Sequence, residues 1–159
     1  MKSVVSGSSG FIGKHLIKKL EQLGHSVVPI SHEKFRAFEY LKGFLTEVNP
    51  DWIFHLASYG NMYHQKDEEE TFYANVVALW NLIQATKYIK YKAFINFSTS
   101  SVGLSIQTIY SVTKQMGEDL TRYYGKTKPI MSIRPYSVYG PGEADFRFIP
   151  TVFRSCLKG

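Results

Sequence analysis

Apolar runs and amphipathic stretches alternate along the 159 residues of this chain. Short blocks rich in Val, Ile, Phe and Trp predict strands at 2–6, 26–30, 51–55, 92–97 and 129–134. Between them apolar residues recur at helical spacing, as in Leu16, Ile17, Leu20 and Leu23. They predict helices over 11–23, 35–48, 68–90, 110–124 and 149–157. Gly24 and Gly125 stand where helix C-terminal stops belong. Several strands read as apolar runs rather than strict alternation, the pattern of a parallel sheet covered on both faces. Strand and helix in alternation then predict one doubly wound α/β domain over 1–159, a parallel sheet with helices on both faces. The acidic run 67–70 suits a helix N-terminus.

The first strand runs straight into Gly7-Ser8-Ser9-Gly10-Phe11-Ile12-Gly13, and a helix leaves it. Glycine is needed where a backbone bends tightly or must lie close to a ligand. Such a turn at a helix N-terminus presents N–H groups and partial positive charge to a pyrophosphate. The GxxGxxG spacing is a variant of the dinucleotide fingerprint.

Composition narrows the picture only a little. No stretch approaches the length of a membrane span, and the chain enters its first strand without a signal segment. Cys156 is the one cysteine, which excludes an intrachain disulfide and suits a reducing cytoplasm. The net charge of +6 is spread over the sequence, so it reads as a basic surface suited to small anions, with no nucleic-acid partner. His15, His25, His32 and His64 show no ligand spacing, so no metal is expected, and His55 reads as a packed strand residue.

Tyr110 and Lys114 stand four apart, on one face of a helix. An ammonium near a phenol favours the phenolate, so Lys114 is expected to lower the pKa of Tyr110 and fit it for proton transfer. Two further pairs at this spacing, Tyr88/Lys92 and Tyr124/Lys128, reflect a chain rich in both residues. Tyr110 differs because the hydroxyl-rich stretch Ser98-Thr99-Ser100-Ser101 precedes it, at the C-terminal end of a strand, where open α/β sheets bind ligands.

Taken in order, the motifs resemble one family. They are 7–13, then Asp51-Trp-Ile-Phe-His-Leu-Ala57, Asn75, 98–102, 110–114 and Arg134-Pro-Tyr-Ser-Val-Tyr-Gly-Pro141. The chain is similar to the extended short-chain dehydrogenases/reductases, the NAD(P)-dependent epimerase/dehydratase group that acts mostly on nucleotide sugars. The resemblance implies a Rossmann-type sheet. It makes Tyr110 the general acid/base, Lys114 the residue that binds the nicotinamide ribose and tunes Tyr110, and Thr99 the group that hydrogen-bonds the reacting oxygen. Gly7, Ser9, Gly10, Phe11, Ile12 and Gly13 would line the pyrophosphate, with Leu56, Ala57 and Ser58 along the cofactor. Tyr136 and Ser137 would lie near the nicotinamide, and Asn75 would support the active-site helix region. Helices 68–90 and 110–124 would form a homodimer bundle through Phe72, Val76, Val77, Leu79, Trp80 and Ile83.

The departures from that pattern carry information too. The family position that holds an acid for NAD is Ser31 here, followed by His32, Lys34 and Arg36. This implies NADP, with NAD possible. The stretch 31–50 has no edge strand, a compactness shared with 4-keto-rhamnose-type reductases. The loop 103–109 is short, and Gly103 stands without the tyrosine common in Val-Tyr-Gly. The chain stops where a substrate-binding lobe would start. Two readings follow: an NAD(P)-dependent oxidoreductase, epimerase or dehydratase of a nucleotide sugar, or a non-catalytic dinucleotide-binding module that acts through a partner.

Overall fold

The apolar blocks become β1 (Lys2–Ser6), β2 (Ser26–Ile30), β3 (Trp52–His55), β4 (Ala93–Phe97) and β5 (Ile130–Ile133). In this computed structural model, which describes residues 1–158 and leaves out the side chain of His32, they form one parallel sheet in the order β2-β1-β3-β4-β5. Asp51 anchors the start of β3. Its carboxylate accepts from the Lys2 amide at 2.8 Å and pairs with Lys92 at 3.0 Å.

The helices are α1 (Phe11–Gln22), α2 (Phe38–Val48), α3 (Glu68–Phe72), α4 (Ala78–Ala85), α5 (Ile109–Tyr124) and α6 (Phe148–Lys158). The connection from β1 to β2 steps one way across the sheet, and the next three step the other way. Because such crossovers are right-handed, α1 lies on one face and α2, α3, α4 and α5 on the opposite face. The reversal beside β1 is the switch point at which sheets of this kind take ligands.

Most of the core lies on the crowded face. Val4, Ile53, Phe94 and Ile130 form an apolar row across four strands, packed with Leu41 and Leu45 of α2 and Leu79, Leu82 and Ile83 of α4. One pleat nearer the strands' C-terminal ends, a polar row of Ser6, His55, Asn96 and Ser132 runs parallel to it. The other face is thinly covered. Beyond α1 the β5 residues Met131 and Ile133 are 53% and 39% exposed.

Two predicted helices differ from expectation. The first, over 35–48, begins only at Phe38. A 3-10 turn (His32–Arg36) and an extended Ala37 precede it, and they let Phe35 bury completely against His55 at a ring distance of 5.6 Å. The second, over 68–90, is interrupted. Between α3 and α4 a π turn (Tyr73–Val77) carries the Ala78 amide back to the Tyr73 carbonyl, and a 3-10 turn (Thr86–Tyr88) ends the segment. Helix α6 forms, yet buries no residue. Among the described residues no helix is long and apolar enough to cross a membrane.

Candidate active site

The glycine turn has the tight geometry its sequence predicts. Gly7 takes φ +67°, and a Cβ there would sit 2.8 Å from Ala57 N and from the Leu56 carbonyl carbon. At Gly13 a Cβ would sit 2.1 Å from Gly7 O. The Gly10 amide donates to Gly7 O at 3.1 Å and closes the turn. Gly10 is the N-cap of α1 and supplies no side-chain cap. The amides of the first turn, at Phe11 and Ile12 with Ser9 exposed before them, therefore stay available to an anion. Leu56 and Ala57 from the end of β3 form the opposite wall.

Tyr110 enters the site from the first turn of α5. Thr108 caps that helix through a capping box, accepting from the Ser111 amide at 3.2 Å while Ser111 Oγ accepts from the Thr108 amide at 2.9 Å. The Tyr110 phenol is buried, and burial raises its pKa above the ordinary tyrosine value. Hydrogen bonds with Ser58 and Thr99 and the charge of Arg147 act in the opposite direction. The expectation that Lys114 lowers this pKa is thus corrected. Lys114, 4% exposed as a residue, donates from its ammonium to the Phe97 carbonyl at 2.5 Å. Burial pushes it down to about 8, with the Glu118 carboxylate opposing.

Glu118 and Arg134 were not picked out from the sequence as a pair. Glu118 is buried on α5, and Arg134 Nε and Nη2 donate to its two oxygens at 2.7 and 2.6 Å. The Arg134 bonds hold the Glu118 carboxyl below the usual range. One signal was present: Tyr110, Lys114 and Glu118 repeat at i, i+4 and i+8, a single helix face. Arg147, which reaches Met62 Sδ at 3.4 Å, had no local signal.

Asn75 lies at the centre of the π turn and is 2% exposed. Its side chain accepts from the Tyr59 amide at 3.1 Å and donates to the Tyr59 carbonyl at 2.9 Å. It also donates to Thr113 Oγ1 at 3.0 Å. It ties the segment that carries Ser58 to the helix that carries Tyr110.

The remaining expected positions are less concentrated. Ser31 is exposed at the end of β2, and the side chain of His32 lies outside the described residues, as does Gly159. Lys34 sits 4.8 Å over the Phe44 ring, and Arg36 pairs with Glu70 at 2.6 Å while stacking 4.5 Å over Tyr73. Both cations are thus engaged away from the end of β2. Tyr136 (75% exposed) and Ser137 follow β5, and no hydrogen bond among the described residues ties them to Tyr110. The next segment folds back on α1, where His15 Nε2 donates to the Pro141 carbonyl at 2.8 Å. The six apolar residues assigned to a bundle interface also divide. Leu79 and Ile83 are fully buried in the core, because α4 turns them to the sheet, whereas Phe72 and Trp80 are exposed.

The chain is 30% identical to CDP-abequose synthase of Salmonella typhimurium, in a match covering 98% of this chain and 61% of the relative. The crystal structure of UDP-glucuronic acid 4-epimerase from Bacillus cereus in complex with NAD superposes with a TM-score of 0.82 at 27% identity, over 99% of this chain and 63% of that one. The fold alone is shared with dTDP-4-dehydrorhamnose reductase from Bacillus anthracis in complex with NADP, with a TM-score of 0.83 at 18% identity, covering 99% of this chain and 60% of that one. The chain thus spans about three fifths of the length of these relatives. Residues 3–159 match the NAD dependent epimerase/dehydratase family, and the chain belongs to that family.

Proposed function

We propose that this chain is the cofactor-binding and proton-transfer half of an enzyme that oxidises, reduces, epimerises or dehydrates a nucleotide-activated sugar. The carrying observation is the convergence of the Ser58, Thr99 and Tyr110 hydroxyls, from the segments after β3 and β4 and the first turn of α5, at the C-terminal edge of the sheet. The uncapped glycine turn at the same edge fits a dinucleotide, since any side chain at Gly7 or Gly13 would collide with backbone. Ser9, Gly10, Phe11, Ile12 and Gly13 would hold its pyrophosphate, with Leu56 and Ala57 along it, Ser31 and His32 at the adenosine ribose, and Tyr136 and Ser137 towards the nicotinamide. When bound, the nicotinamide supplies or accepts a hydride. Burial keeps the proton on Tyr110 Oη, ready to pass to a sugar oxygen that Thr99 steadies. Lys114 contributes a buried ammonium one helical turn from Tyr110, for the ribose hydroxyls. NADP is the proposed cofactor, because Ser31 replaces the acid that would repel a 2′-phosphate.

The test is Tyr110→Phe. It should abolish turnover of a nucleotide-sugar panel while NADPH binding, followed by calorimetry with NADH alongside, stays intact. Retained turnover would remove Tyr110 from the chemistry. Phe72 and Trp80 of the α3–α4 segment and Ile109 and Met116 of α5 present exposed apolar surface, which supports a homodimer through these helices. Sedimentation of the parent against Trp80→Glu tests this. A second reading, a non-catalytic dinucleotide module that works through a partner, is favoured by α6, none of whose described residues is fully buried and whose Val152, Phe153 and Leu157 are exposed. Tight NADPH binding with no turnover across the panel would select it.

A further inference from the structure

Ser6 ends β1, His55 ends β3, and the register sets them side by side. Ser6 is 1% exposed. Its Oγ lies 2.8 Å from His55 Nδ1 and 3.1 Å from both Leu56 N and Ala57 N. The two amide donors fill the two acceptor positions of a hydroxyl. The one hydroxyl proton therefore goes to His55 Nδ1. The imidazole accepts there, carries its own proton on Nε2, and is neutral. Its surroundings keep it so. The ring is buried between Phe35 and Phe94, and the ammonium of Lys114 adds like-charge repulsion against a second proton.

The next residue is Gly7, whose missing side chain lets the turn rest on the backbone of Leu56 and Ala57. The oxygen of Ser6 thus joins the start of the glycine turn to the exit of β3. Its two amide bonds form only with the hydroxyl rotated towards His55.

We propose that the Ser6–His55 pair positions the dinucleotide cradle. The imidazole aims the Ser6 hydroxyl, and the hydroxyl clamps the Leu56 and Ala57 amides against Gly7. His55 is a positioning residue, and it acts through Ser6. The proposal rests on reading this cleft as the cofactor site, and the experiment separates the two. His55→Asn keeps a side-chain carbonyl that can accept from Ser6, and His55→Leu keeps bulk without an acceptor. Amide exchange at Leu56 and Ala57, followed by NMR, reads the clamp with no cofactor present. Calorimetric titration with NADPH and NADH reads its consequence. His55→Leu should speed exchange of the Ala57 amide and weaken dinucleotide binding by about tenfold each, the equivalent of one buried hydrogen bond, with a smaller effect at Leu56, whose amide also donates to the Ser6 carbonyl at 3.3 Å. His55→Asn should stay within about threefold of the parent in both. Should His55→Leu fail to fold, Ser6→Ala, which removes the shared oxygen, must show the same loss of amide protection. Equal effects of the Asn and Leu variants, or parent-like protection in His55→Leu or Ser6→Ala, would overturn the proposal. A parent chain that binds neither dinucleotide overturns the cofactor reading alone, since the amide exchange still decides the clamp.

Discussion

Acidification should unfold this protein partly through one histidine. His55 titrates at 6.5 when exposed and is pushed down to about 3 in the fold, chiefly by burial and then by the charge of Lys114. A base with a depressed folded pKa contributes its full stability above the unfolded value. That contribution fades as pH falls through 6.5 towards 3. Between pH 7 and pH 5 the unfolded chain takes up most of one proton that the folded chain refuses. At about 1.4 kcal/mol per pH unit, reduced by incomplete protonation at the upper end, the loss is about 2 kcal/mol. Urea unfolding of the parent and His55→Asn at both pH values isolates it, because every other titrating group is common to the two proteins. The parent should lose about 2 kcal/mol more than the variant across that interval. Equal losses, or a His55 resonance that titrates near 6 in the folded protein, would refute the reasoning.

Lys114 gives a slope of the same sign at higher pH. Held at about 8 against 10.5 when exposed, it penalises the fold in full below pH 8, and the penalty fades as pH rises from 8 towards 10.5. From pH 7 to pH 9 the parent should gain about 1 kcal/mol relative to Lys114→Met, read by denaturant midpoint. Gly13→Ala, whose Cβ would meet Gly7 O at 2.1 Å, should cost about 3 kcal/mol or more and displace the turn. Gly43→Ala is the control: it lies inside α2 with nothing near the added carbon, and should raise stability by about 0.5–1 kcal/mol in the same melts. Arg134→Gln should lower the melting temperature at pH 7, because it leaves the buried Glu118 carboxylate short of its partner. That deficit should shrink as pH falls below 4.5, the unfolded value of Glu118.

The strands were legible because a parallel sheet buried on its main face needs consecutive apolar residues, which Val4-Val5 and Ala93-Phe94-Ile95 supply. The glycine turn was legible for a related reason: each small residue answers a local backbone requirement. What stayed hidden depends on distant parts of the chain. Nothing near Tyr110 announces that Ser58, from beyond β3, meets its phenol. The i, i+4 rule pointed Lys114 at Tyr110, whereas the Phe97 carbonyl holds its ammonium. The break in the helix over 68–90 was invisible for another reason. Residues 72–85 are apolar on nearly every side, so a slip of phase leaves no mark on the pattern.

That slip has a genetic corollary. A π turn is an α-helix with one residue too many, and no exchange of one side chain for another can remove it. Only a deletion can. Losing one residue from Tyr73–Val77 would restore regular winding and rotate one half of the segment against the other by about 100°. Asn75 could then no longer reach Tyr59 and Thr113 together while Leu79 and Ile83 kept to the core. The length of this segment is therefore more tightly constrained than its composition: exposed positions should tolerate substitution, and almost none should tolerate a single-residue indel.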